Sequence, residues 1–233
     1  MGHLDRRNGE DRSPGNHPYL SIARTANDMY HGEKLNAITH LAGAILAIAG
    51  AVVLIVSASL QGDPWKIVSV SIYGATLILL YSFSTLYHSL RGRAKQILRE
   101  LDHHSIYYLI AGSYTPFCLV TLRGPWGWSL FGVVWGFAVL GSLQELWMKN
   151  SARILSVLIY VVMGWVAVVA LVQLLHALGP YGFAWLVAGG LFYTIGIVFY
   201  VIDTRIAHGH GIWHLFVLAG SAAHYVAILF YVL

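Results

Sequence analysis

Seven apolar stretches, at residues 36–60, 66–88, 104–122, 126–147, 154–176, 183–202 and 212–233, dominate this chain. Each is close to the roughly 20 residues that a helix needs to cross a bilayer. Lipid offers backbone amides no hydrogen-bond partner, so spans of this kind must satisfy them internally as helices. The expected fold is all-α: a polytopic membrane protein with seven transmembrane helices over residues 31–233. Only 10% of the residues are charged, against about 25% in a typical soluble domain. Residues 1–30 mix charges with Gly, Pro and Asn and are expected to form a flexible tail. No apolar signal-peptide core is visible there, so insertion is expected to start with the first span. Pro64, Gly124-Pro125 and Gly179-Pro180 mark turns, and Pro116 is expected to kink the third helix. The single cysteine, Cys118, excludes a disulfide framework and a Cys-rich metal module.

Basic residues set the expected orientation. With the N-terminus cytoplasmic, the inner segments hold Arg6, Arg7, Arg12, Arg24, Lys34, Arg91, Arg93, Lys95, Arg99, Lys149, Arg153 and Arg205, leaving Lys66 and Arg123 outside. Twelve against two places the N-terminus in the cytoplasm and the C-terminus outside, as seven spans require. It also accounts for the net charge of +4 without invoking nucleic acid as a partner.

On this map the polar residues gather at one depth. Glu33, Asn36 and His40 stand at the start of the first helix, and His88 ends the second. Asp102 opens the third as drawn, and His210 and His214 open the seventh. All are cytoplasmic ends, whereas the outer ends carry Asp63, His176 and little else. Residues four apart share a helix face, so one metal ion can lie between His210 and His214, and His88 supplies a third imidazole. Three neutral histidines plus a water form a recurrent catalytic zinc set, in which the water's pKa falls to near 7. Asp102 is placed to orient that water and accept its proton, and Ser84, one turn before His88, to steady the water or polarise a carbonyl. Ionisable groups near lipid are costly and call for a partner or a task.

Simpler roles cover the remaining polar residues. His103 and His104 read as supporting or solvated, His176 and His208 as solvent-facing, and His224 as a core or cavity histidine. Trp126, Trp128 and Trp185 read as interface aromatics. Glu145 is expected to pair with Lys149 and Asp203 with Arg205.

The segments Glu33-Lys-Leu-Asn36-Ala-Ile-Thr-His40, Ser84-Thr-Leu-Tyr-His88, Leu101-Asp102 with Gly112-Ser-Tyr-Thr-Pro116, and His210-x-x-x-His214 with His224-Tyr225 resemble the motifs of the haemolysin III and progestin/adipoQ-receptor family. The resemblance covers the chain from about residue 30 onward and is nearest the bacterial haemolysin III branch. It implies a bacterial cytoplasmic-membrane protein with zinc near the cytoplasmic leaflet, bound by His88, His210 and His214, with Asp102 contacting it through water. Related alkaline ceramidase-like hydrolases share a Ser, His, Asp, His, His set, matched here by Ser84, His88, Asp102, His210 and His214. That implies hydrolysis of a lipid amide or ester. A non-enzymatic, zinc-stabilised regulator of membrane state is the alternative, and a pore is less well supported because charges inside the spans are scarce. For Glu33, Asn36 and His40 the reading is a structural tie from helix one to the site.

Overall fold

The computed structural model describes residues 33–147 and 152–233, and every element among them is helical. The tail expected over residues 1–30, and Lys149 with it, lie outside the described residues. The helices are α1 (Glu33–Gln61), α2 (Pro64–Ser89), α3 (Gly92–Pro116), α4 (Pro125–Trp147), α5 (Ala152–Trp165), α6 (Leu171–Val201) and α7 (Gly209–Tyr231). A wide π turn, Phe117–Thr121, continues α3, and a tight 3-10 turn, Val166–Ala170, joins α5 to α6.

Five stretches are long and apolar enough to cross a membrane: Glu33–Gln61, Pro64–Ser89, Pro125–Trp147, Ile154–Val201 and Gly209–Tyr231. The longest, of 48 residues, is broken where Gly179 takes φ 67° and ψ 174° just before Pro180. Glycine carries no Cβ to oppose that conformation, and proline supplies no amide to bridge it. The expected boundary at Gly179-Pro180 is therefore a break within one long helical stretch rather than a loop.

α3 corrects the expected third segment. It starts at Gly92, not near residue 104, so Asp102 lies ten residues into the helix instead of opening it. Hydrophobicity alone trims this helix, because its first turns carry Arg93, Lys95, Arg99 and Glu100. At the other end, Pro116 is followed directly by the π turn, whose Leu122 N–H reaches back to the Phe117 carbonyl at 2.8 Å. Proline's missing donor is accommodated by widening the helix there.

Small residues let the helices approach closely, as expected where lipid removes much of the hydrophobic drive between them. The buried stripe of α1 includes Gly43, Ala44, Ala47, Ala51 and Ala58, while Ile38, Ile45, Leu46 and Leu60 face outward. A Cβ added at Gly112 of α3 would fall 2.1 Å from Thr76 Oγ1 of α2, and one at Gly141 of α4 would fall 2.2 Å from the Tyr107 ring. α1 packs on both α2 and α7, and α2 also packs on α3. That arrangement brings the end of α2 and the start of α7 beside the start of α1, where Lys95 in the first turn of α3 pairs with Glu33.

Candidate metal centre

His88 stands in the last turn of α2, and His210 and His214 in the first two turns of α7. The three imidazoles offer ligand nitrogens that all lie within 4.8 Å of one another, so the group could hold a metal ion after small ring movements. Ring centroids are 5.2 Å apart for His88–His210, 5.1 Å for His88–His214 and 4.9 Å for His210–His214. His88 and His214 are buried and His210 half-buried.

Two of the three rings are held from behind through Nδ1, those of His210 and His214. The His214 Nδ1 lies 3.2 Å from the Asn36 carbonyl oxygen, which only accepts, so this nitrogen carries the proton and donates. The His210 Nδ1 faces the Asp203 carboxylate at 3.2 Å in the same sense. The His88 Nδ1 lies 3.9 Å from Glu33 Oε2, and Glu33 is itself paired with Lys95. A histidine bonded through Nδ1 to a carboxylate or carbonyl presents Nε2, with its lone pair, on the opposite side, which is the usual support for metal-binding imidazoles. The Nε2 atoms of His88 and His214 are buried and make no hydrogen bond to protein. Buried polar atoms are rarely left that way, and a metal ion bound between the rings would satisfy them. The residues present fit such an ion.

Local sequence explains how these partners arrive. Asn36, Thr39 and His40 lie three and four residues apart on one face of α1, turned toward α7. The His40 ring stacks on His214, with centroids 3.5 Å apart and planes 7° from parallel. α7 begins at His208 in a left-handed conformation, φ 61°. A Cβ at Gly209 would lie 2.9 Å from Asp203 Cα, so glycine allows the α6–α7 loop to fold back and set Asp203 against His210.

Asp102 is buried, with 5% of its surface exposed, and Ser84 Oγ is buried without a hydrogen bond of normal geometry. Asp102 lines two cavities. One is polar, about 700 Å³, and also bounded by His88, His210, Glu33 and Asp203. The other is apolar and runs past Leu109, Val217 and Trp213 to His224. His40 lines the apolar one as well.

Residues 29–225 match the family described as haemolysin-III related. The chain belongs to that family. It is 44% identical over 202 residues to Hemolysin-3 of Bacillus cereus, covering 86% of this chain and 92% of that protein. The Hemolysin-3 homolog of Bacillus subtilis (strain 168) is 43% identical over 200 residues, 85% of this chain and 93% of its own length. The human protein called Monocyte to macrophage differentiation factor is 30% identical over 200 residues, 83% and 81% of the two chains. The haemolysin-III-related match takes in every residue from Glu33 to His224, and thus the whole polar cluster. With its long apolar helices, the protein is an integral membrane protein of this family.

The structure thus brings His88, His210 and His214 together and sets Asp102 on the cavity that His88 and His210 also line, while Ser84 is buried one turn before His88 on α2. Asp203 was missed: read as a loop partner of Arg205, it instead faces His210. No periodicity crosses that loop, so nothing in the sequence pairs the two. Glu145, expected beside Lys149, lies 3.7 Å from His103 and accepts a hydrogen bond from Ser156 at 2.6 Å. His224 is buried, with Nε2 donating to the Leu186 carbonyl at 3.2 Å, while His176 and His208 are exposed.

Proposed function

We propose that this haemolysin-III-related protein is a zinc-dependent hydrolase of a lipid amide or ester, with seven spans in the bacterial cytoplasmic membrane. Its N-terminus is cytoplasmic and its C-terminus extracytoplasmic. The break at Gly179 supports counting Ile154–Val201 as two spans, and α3 with its π continuation supplies the seventh. The bacterial relatives and the placement of basic residues support the membrane and the orientation.

One observation carries the catalytic reading: Asp102 borders both the polar cavity holding His88 and His210 and the apolar cavity extending to His224. A purely structural metal site is closed by a fourth protein ligand, whereas a catalytic one keeps three and leaves the last position open. Here three histidines form the metal-competent group among the described residues, and neither Asp102 nor His103 nor His104 completes it. All-imidazole ligation suits zinc. Bound zinc would supply Lewis acidity and an acidified water. His88, His210 and His214 would hold the ion through Nε2, with Asn36 and Asp203 fixing the rings of His214 and His210. Asp102 takes a proton from the attacking water and returns it to the leaving group. Ser84 Oγ donates to the acyl oxygen as charge develops there. The apolar cavity takes the hydrocarbon part of the substrate, and the polar one receives the head group or water.

Metal content by plasma mass spectrometry on the detergent-purified protein tests this, with wild type beside His210→Ala/His214→Ala. About one zinc per chain in wild type, absent from the double variant, followed by fatty-acid release from lipid amides in mixed micelles, is the expected result. Metal-free wild type prepared without chelators ends the proposal.

A further inference from the structure

His40 sits against the metal centre yet has no place in the ligand set. Its side chain is 1% exposed, and neither ring nitrogen makes a hydrogen bond of normal geometry. Packing fixes the ring: it stacks on His214 and meets the edge of Tyr81 at 5.0 Å and 83°. Phenylalanine would fill that slot, stack as well, and bury no polar atom. An imidazole left without partners is a cost that the fold itself does not recover.

The ring borders the apolar cavity that Asp102 also lines. Several other polar side chains along that cavity are committed within the protein. Ser113 donates to the Ile110 carbonyl, Tyr114 to that of Gly164, and Thr194 to that of Gly190. Tyr193 bonds Ser221, and His224 bonds the Leu186 carbonyl. At the metal end, His40 therefore brings uncommitted hydrogen-bonding capacity to the chamber; the other unpartnered ring nitrogen on its walls, Nδ1 of His224, lies ten residues beyond His214 along α7.

We propose that His40 is the hydrogen-bonding anchor for the polar group of the molecule occupying this cavity, setting a carbonyl beside His88, His210 and His214. The ligand class is a long-chain acyl compound whose hydrocarbon fills the apolar chamber and whose amide or ester carbonyl accepts from the imidazole N–H. The proposal rests on the lipid reading of the cavity given above. His40 touches the substrate rather than the metal, so its loss changes affinity for the carbonyl and not metal content.

Full-length protein in detergent, titrated with tritiated palmitamide and separately with tritiated heptadecane, provides the test. Wild type binds the amide more tightly than the alkane. His40→Phe, which keeps the ring and its stack, weakens palmitamide about tenfold, the scale of one hydrogen bond. It leaves heptadecane binding and metal content unchanged, and His40→Gln, which restores a donor, recovers part of the loss. Equal weakening of both ligands, or loss of metal in His40→Phe, makes His40 a packing residue and overturns the proposal. So does unchanged palmitamide affinity, or a wild type that does not prefer the amide. Selective loss of palmitamide binding in a protein that cleaves no lipid amide would sink the hydrolase and leave the anchor standing. Amide cleavage with His40→Phe binding like wild type would do the reverse.

Discussion

At one end of the helices, His40, Ser84, His88, Asp102 and His214 are all buried within the packing of α1, α2, α3 and α7. At the other, the buried side chains include Leu54, Ala58, Val70, Leu122, Leu130 and Leu178, which are hydrocarbon throughout. The charged groups Asp63 and Lys66 of that far end are used by the fold: Asp63 caps α2 through the Trp65 N–H at 2.9 Å, and Lys66 bonds the Leu233 carbonyl at 2.6 Å. The two ends share helix type and packing, yet only one holds buried ring nitrogens of His40, His88 and His214 without protein partners. Each such group costs about 1–3 kcal/mol when left unmade. Sequences that violate a local rule in a concentrated way generally do so at a functional site. The far end shows what this bundle looks like when stability is the sole requirement.

The comparison breaks most sharply at His214. His214→Ala removes a ligand that α1 supports through Asn36 and His40, so bound metal should fall below about a tenth of wild type, read as metal per chain. Chelator should then lower the thermal midpoint of wild type and leave that of the variant where it is. An unchanged metal content in His214→Ala would put the ion elsewhere.

Asp102→Asn keeps the shape of the polar end but removes its base. Turnover of a lipid amide should drop by roughly 10²–10⁴, the usual contribution of a positioned base, while metal stays within a few-fold of wild type. Full turnover would show that the base lies elsewhere.

A smaller effect is expected behind the ligand ring. Asp203→Ala leaves His210 in place without its carboxylate, and metal affinity measured by competition with a chelating dye should weaken about 10–100-fold. Affinity equal to wild type would make the Asp203 contact incidental.

The control sits at the far end. Leu130→Ala opens a cavity beside Leu122 and Cys118 and should destabilise the protein by roughly 2–5 kcal/mol. Metal content should not change. Metal lost in parallel with stability would mean that the two ends are one cooperative unit, and the contrast drawn between them would collapse.

Sequence by itself determined the helical class, because 233 residues with so few charges and apolar stretches of membrane length leave the backbone no other way to satisfy its amides. It also marked Ser84, His88, Asp102, His210 and His214 as one set, since helical spacing and alternating span direction return them to one depth. Helix ends were less legible where polarity and helicity part company. The first turns of α3 are helical but charged, so hydrophobicity began that helix at residue 104 rather than Gly92. What only the tertiary structure decided is how the helices are rotated and which loop folds back. Rotation of α1 turns Asn36 and His40 onto His214, and the left-handed start of α7 with Gly209 turns Asp203 onto His210. Periodicity reports which face of a helix is buried but not which neighbour it meets, and contacts across a loop have no period at all.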